Sequence, residues 1–202
     1  MRGMSATLRA LCVLTPLVMA VTGFRSDLLA DWWLENPVVF AVLLGMSLAY
    51  KHLPLSNTSY LLLFVFLCAH EYGAAYRYSS APLGEWMKPW LHSERNHYDR
   101  LVHFLFGLLL TLPVYETFRI LTRLRGRLAY LLAFQCVLAA SAIYEILEWV
   151  VASRVDPGLG LEFIGAQGDV WDSPEDMAMA AAGSLIAVAL IAGVGVGNRS
   201  AR

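Results

Sequence analysis

The chain has 202 residues, of which 58% are hydrophobic and only 15% are charged, and its formal net charge is −1. Soluble domains carry about 25% charged residues, so this balance is typical of a protein that resides in a lipid bilayer. The near-neutral charge also argues against a nucleic-acid partner, which requires a clustered basic surface.

Six apolar segments follow one another along the chain, and each is long enough to cross a membrane as a helix. A bilayer core of about 30 Å requires about 20 apolar residues in a helix, and about 17 suffice. The segments are residues 8–24, 34–50, 59–76, 101–121, 128–152 and 176–196. The stretches between them are too short to build a separate core. We therefore predict an all-α, polytopic membrane protein with about six transmembrane helices, in which residues 1–202 form a single integral membrane domain.

The distribution of basic residues predicts how these segments are oriented across the membrane. The loop at residues 119–127 carries four arginines and no acid, whereas the basic residues on the opposite side are interspersed with acids. The positive-inside rule then predicts that both termini lie in the cytoplasm. The first segment has the basic start of a secretory signal, but its best cleavage pattern, Ala20-Val21-Thr22, is poor, so we expect an uncleaved span. Cleavage would leave five spans.

All six tryptophans fall at the outer ends of the segments or in the outer loops. Their rings are amphipathic and favour the headgroup layer of a membrane. We expect an aromatic layer at the outer face, with residues 86–90 lying on the membrane surface.

Ionisable side chains gather at the same outer end of four segments. They are His70 and Glu71 in the third segment, Asp99, Arg100 and His103 at the start of the fourth, Glu145 and Glu148 in the fifth, and Asp172 and Asp176 at the start of the sixth. Each such group within a span costs about 2.5–3.5 kcal/mol on insertion scales and normally faces a partner or a wet cavity. Either nearby arginines pair with these carboxylates or a bound cation neutralises them.

The spacing of these groups favours a metal. Ligand-type side chains three or four residues apart share a helix face, and helical bundles build carboxylate-bridged metal sites in this way. A site rich in oxygen, with one or two imidazoles and no cysteine, suits a divalent metal such as Zn, Mn or Fe. The predicted metal ligands are His70, His103, Glu145, Glu148 and Asp176. The alternative for Asp176 is a purely structural role. It follows Ser173-Pro174, which is typical of a helix start, and there its side chain would only cap the helix.

Four short motifs combine in an order that is specific to one family. They are His70-Glu71-Tyr72-Gly73; Glu94-Arg95-Asn96-His97-Tyr98-Asp99-Arg100 with His103-Phe104; Tyr144-Glu145-Ile146-Leu147-Glu148-Trp149; and Gly168-Asp169-Val170-Trp171-Asp172 with Asp176-Met177. Over about residues 30–197 the chain resembles the bacterial inner-membrane protein family typified by YjdF. The resemblance implies a multi-pass architecture. It indicates neither an activity nor a catalytic residue.

Three classes of function are compatible with this pattern. The first is a metal-dependent hydrolase acting on lipid or lipid-linked headgroups at the outer leaflet, with Glu71 or Asp172 as general base and Arg100 as an anion clamp. The second is a small transporter or ion-binding protein, for which an acid near the bilayer midplane is expected. The third is a non-enzymatic membrane scaffold in which the acids form a paired structural network.

Overall fold

The computed structural model describes residues 4–26, 29–155 and 157–194. These residues form nine α-helices and one 3₁₀ turn, Tyr78–Ser80, and they contain no strand. The helices are α1 (Ala6–Arg25), α2 (Leu29–Glu35), α3 (Pro37–Ala49), α4 (Asn57–Tyr76), α5 (Pro82–Leu91), α6 (Tyr98–Thr122), α7 (Arg127–Ala152), α8 (Pro157–Ile164) and α9 (Asp172–Gly193). The predicted all-α class is confirmed.

Five helices are long and apolar enough to cross a membrane, namely α1, α4, α6, α7 and α9. A sixth candidate span is the pair formed by α2 and α3, which is bent by 47°. The prediction of about six spans is therefore confirmed. Residues 195–196, at the end of the sixth predicted segment, lie outside the described residues, and the single domain over residues 1–202 stays a prediction.

The bend between α2 and α3 lies at Asn36. Pro37 begins α3, and proline cannot donate the backbone hydrogen bond that would continue the preceding helix. Asn36 is fully buried, and its Nδ2 donates to the backbone oxygen of Trp32 at 3.0 Å. The second predicted segment began at residue 34, whereas α2 begins at Leu29, because Asp31 and Glu35 interrupt the apolar pattern of this helix.

Hydrogen bonds near both ends of the helices fix their directions. Ser5 Oγ, at the start of α1, donates to Asn57 Oδ1 at 2.7 Å, and Thr22 near the end of α1 donates to Glu71 near the end of α4. These two helices therefore run parallel. Glu116, near the end of α6, accepts hydrogen bonds at the start of α4, so α6 runs in the opposite direction. We call the end of the bundle where α1, α4 and α7 finish and α6 and α9 begin the site end.

The most extensive helix contact joins α6 and α9, which run parallel with their backbones almost touching. A Cβ atom on Gly107 would lie 1.9 Å from the backbone oxygen of Ala180, and one on Gly183 would lie 2.1 Å from a backbone oxygen of α6. Thr111 Oγ1 and Ser184 Oγ form a buried hydrogen bond of 2.7 Å in the same contact. Small residues allow membrane helices to approach this closely, and a buried hydroxyl pair strengthens the contact.

The predicted aromatic layer requires exposed tryptophans, and the layer itself stays a prediction. Five of them are exposed, whereas Trp32 is buried in the bundle. Trp86 and Trp90 lie one turn apart on α5, with ring centroids 5.9 Å apart. This short helix presents both exposed rings together, and its position on the membrane surface stays a prediction.

We expect Gly183→Val to destabilise the fold, because the added methyl groups would collide with the backbone of α6. Overpacking of this kind costs about 1–3 kcal/mol or more in the free energy of unfolding. Gly45→Val is the matched control, since a Cβ atom there meets nothing within 4 Å. The measurement is thermal unfolding of both variants in detergent, followed by tryptophan fluorescence. Equal unfolding temperatures would show that the contact between α6 and α9 tolerates a side chain.

Candidate metal centre

Three ligand-type side chains from two helices meet at the site end. They are Asp99 and His103 of α6 and Asp176 of α9, and one ligand atom of each lies within 4.8 Å of the others. All three are buried. His103 precedes Gly107 by one turn and Asp176 precedes Ala180 by one turn, so the close backbone contact sets the separation of the two ligands.

Helix α7 brings two further carboxylates to this cluster. His103 Nε2 lies 3.3 Å from Glu145 Oε1 and 3.7 Å from Asp99 Oδ1. Glu148 lies about one turn beyond Glu145 and is also buried. The charges of Asp99, Glu145 and Asp176 all act on Glu148. We call Asp99, His103, Glu145, Glu148 and Asp176 the acidic cluster.

In the part of the chain that the structure describes, some carboxylate oxygens of the acidic cluster lack a hydrogen-bond donor. Glu145 Oε1 and Asp176 Oδ1 are buried, and neither has a hydrogen-bond partner among the described residues. Removing a carboxylate from water costs several kcal/mol unless an opposite charge or hydrogen bonds compensate. Four carboxylates around one imidazole can bind a divalent cation, and this donor set is suitable for Zn, Mn or Fe.

Two arginines form a second layer of charge nearer the loops. Arg95 pairs with Asp172 and donates to two backbone carbonyls of the loop before α9. Arg100 Nη2 lies 2.6 Å from Asp169 Oδ2, and it also pairs with Glu175. Among the described residues, their ion pairs go to Asp169, Asp172 and Glu175 and not to the acidic cluster. The arginines fasten the loop before α9 to the start of α6.

The same arginines set the ionisation of two groups outside the spans. The pKa of the Asp169 carboxyl is lowered, because the backbone amide of Trp171 and the Arg100 guanidinium donate to it. The pKa of His97 is also lowered, first by partial burial and then by the charges of Arg100 and Arg95. His97 is therefore neutral near pH 7, and the positive charge of this layer comes from the arginines.

The structure brings four of the five predicted ligands together, namely His103, Glu145, Glu148 and Asp176. His70 is not among the side chains that converge within 4.8 Å, and its Nδ1 is 2.6 Å from the hydroxyl oxygen of Tyr78. Its Nε2 is buried and has no hydrogen-bond partner among the described residues. His70 is thus oriented by Tyr78, and its second nitrogen remains able to bond a ligand.

Of the two predicted bases, Glu71 occupies a separate polar pocket between α1, α2 and α4. Thr22 Oγ1 donates to Glu71 Oε2 at 2.5 Å, and Trp32 Nε1 donates to the same oxygen at 3.0 Å. These contacts are made on the side of α4 that faces α1 and α2. Asp172, by contrast, lies one turn before Asp176 on α9, where Arg95 pairs with it.

Sequence reasoning missed three carboxylates of this region. Asp99 was noted for its spacing from His103 but was not chosen as a ligand. Asp31 and Glu35 of α2 are both buried; the first lies 2.6 Å from Arg77 Nε, and the second accepts a hydrogen bond from a tyrosine of α7. Their spacing of four residues, beside the tryptophans that begin the second span, was the available signal.

Comparison with known proteins identifies the family of this chain. Residues 7–196 match the family described as "Predicted membrane protein (DUF2238)". The chain belongs to this family. It is also 36% identical over 181 residues to "Inner membrane protein YjdF" of Escherichia coli (strain K12), covering 87% of this chain and 84% of that protein. No solved structure matches it. The resemblance carried by the four motifs is confirmed, and the chain is a multi-pass membrane protein; neither description names an activity.

Proposed function

We propose that this protein is a membrane-embedded, metal-dependent hydrolase that acts on the headgroup of a lipid or lipid-linked molecule. The observation that carries the proposal is the convergence of Asp99, His103 and Asp176 within 4.8 Å, next to Glu145. A divalent cation at this point offsets the mutual repulsion of the carboxylates. It also accounts for buried carboxylate oxygens that have no hydrogen-bond donor.

The acidic cluster supplies the metal ligands in this proposal. Asp99, His103 and Asp176 form its centre, and Glu145 and Glu148 complete the coordination from α7. A bound divalent metal lowers the pKa of a water ligand and so supplies a nucleophile at neutral pH.

Proton transfer and anion binding are assigned to the charged layer above the cluster. Asp172 accepts a proton from the attacking water, because it lies one turn from Asp176 and Arg95 holds it in place. A metal held by the acidic cluster would supply this water; the water oxygen would bond to the phosphorus or carbonyl carbon, the ester bond would break, and the proton held by Asp172 would pass to the leaving oxygen. Arg100 binds the headgroup anion through its buried Nε, which has no hydrogen-bond partner among the described residues. The catalytic role of Glu71 stays a prediction of the sequence.

We expect purified protein to retain one divalent metal ion per chain, measured by elemental analysis. His103→Gln and Asp176→Asn should each lower metal affinity by at least about tenfold, because even groups behind the ligands contribute about 10–100-fold. Glu116→Gln is the control, since Glu116 binds Ser56 and Ser59 at the opposite end of the bundle. Folding of each variant is checked by its unfolding temperature. Well-folded wild-type protein without metal would contradict the proposal and favour a scaffold.

Asp172→Asn should separate catalysis from metal binding. The variant keeps the predicted metal ligands and a side chain of the same size, so it should retain the metal. Loss of the general base should slow release of the headgroup from lipid vesicles by about 10²–10⁴-fold. The assay measures water-soluble headgroup released from a panel of phospholipids, with Glu94→Gln, an exposed position in the loop before α6, as control. Wild-type protein that binds metal but releases no headgroup would favour ion binding or transport.

We also propose that the site end faces the periplasm of a bacterial inner membrane and that both chain termini are cytoplasmic. The arginine-rich loop between α6 and α7 at the opposite end supports this orientation. After replacement of the native cysteines by alanine, a membrane-impermeant maleimide should label His92→Cys in intact cells. It should label Arg125→Cys only after lysis, and the reverse pattern would contradict the orientation.

A further inference from the structure

A cavity of about 820 Å³ lies inside the bundle, between α1, α3, α4, α6 and α7. Its walls are apolar over most of their length, and each of the five helices contributes. Representative lining residues, in helix order, are Leu11, Leu43, Leu67, Phe106 and Val137. Such walls offer water few hydrogen bonds, so a cavity of this size favours an apolar occupant.

One end of the cavity is polar and reaches the acidic cluster. Asp99 and His103 line it there, together with His70. His70 Nε2 and Ser141 Oγ, both in the lining, are buried and have no hydrogen-bond partner among the described residues. Buried polar atoms normally have partners. Both residues, with Asp99 and His103, give this end of the cavity side chains that can hydrogen-bond to the polar part of a ligand.

The cavity is long enough to hold a lipid chain. Its lining runs along α6 from Asp99 to Val114, a distance of about 22 Å at about 1.5 Å per residue. One leaflet supplies about half of a hydrocarbon core of about 30 Å. A hydrocarbon chain that entered from the bilayer could lie along the cavity with its headgroup at the site end.

Helix α3 forms a loosely attached wall of this cavity. None of the residues Pro37–Ala49 is buried. Val39 and Leu43 pack against a small cluster formed by Met19, Trp32 and Ala74, and the most extensive contacts of α3 are with α2. A wall held by so few contacts is the place where a chain from the surrounding lipid enters with least disruption.

We infer that the cavity binds one hydrocarbon chain of a membrane lipid, with the lipid's polar headgroup at the end formed by His70, Asp99 and His103. The inference deepens the proposed function, because it places the scissile headgroup beside the acidic cluster. Binding of the chain itself depends on the apolar walls and requires no metal.

The test uses a monoacyl glycerophosphate with a photoreactive diazirine midway along its chain, added to the full-length protein in lipid nanodiscs. Mass spectrometry should locate the crosslinks on cavity-lining residues such as Leu67 and Phe106. Ala140→Phe places a ring in the cavity and should lower this crosslinking by about tenfold, since added bulk excludes the chain. Ala139→Phe is the matched control, because Ala139 is exposed like Ala140 but does not line the cavity.

Two results would overturn the inference. One is crosslinking spread over outward-facing residues such as Leu131 and Ile143, and the other is an equal yield from the two phenylalanine variants. Repeating the experiment after chelation separates this inference from the proposed function. Cavity crosslinks in a protein that binds no metal would support chain binding and refute the hydrolase. Metal binding and headgroup release without cavity crosslinks would refute the chain site alone.

Discussion

The contact between α6 and α9 is the constraint on which the rest of this structure depends. At Gly107 and Gly183 the two backbones come closer than any side chain would permit. Because the helices are parallel and this close, the side chains one turn nearer the site end face each other across a short gap. His103 lies one turn before Gly107 and Asp176 lies one turn before Ala180, so close backbone packing brings ligand-type side chains from residues 103 and 176 into one site.

Charge at the site end is arranged in two layers that are neutralised differently. In the layer near the loops, Arg95 and Arg100 pair with Asp169, Asp172 and Glu175. The acidic cluster lies deeper, and the ion pairs of these two arginines do not extend to it. Both explanations offered for intramembrane acids therefore have a place in this protein: arginine pairing accounts for the outer layer, and the deeper layer has the composition of a cation site.

The sequence predicted well how far along each helix the polar side chains lie. It predicted poorly which neighbours these side chains face around the helix axis. Apolar segment lengths were sufficient to predict the spans, and the polar residues at their ends predicted which side chains share a level. Adjacent residues on a helix point about 100° apart, so His70 and Glu71 could not both face the same partners. Packing, which the sequence pattern does not contain, directs Glu71 to Thr22 and Trp32 instead. The bend at Asn36, by contrast, has a cause that the sequence does show, because Pro37 lies inside the second predicted segment.

The loose attachment of α3 separates one wall of the cavity from the helices that carry the acidic cluster. Its residues Pro37–Ala49 contribute nothing to the buried core, whereas the acidic cluster is built from α6, α7 and α9. Substitutions in α3 that stay apolar leave the packing of those three helices intact. The shape of the cavity and the side chains at its polar end can therefore vary independently among members of this family.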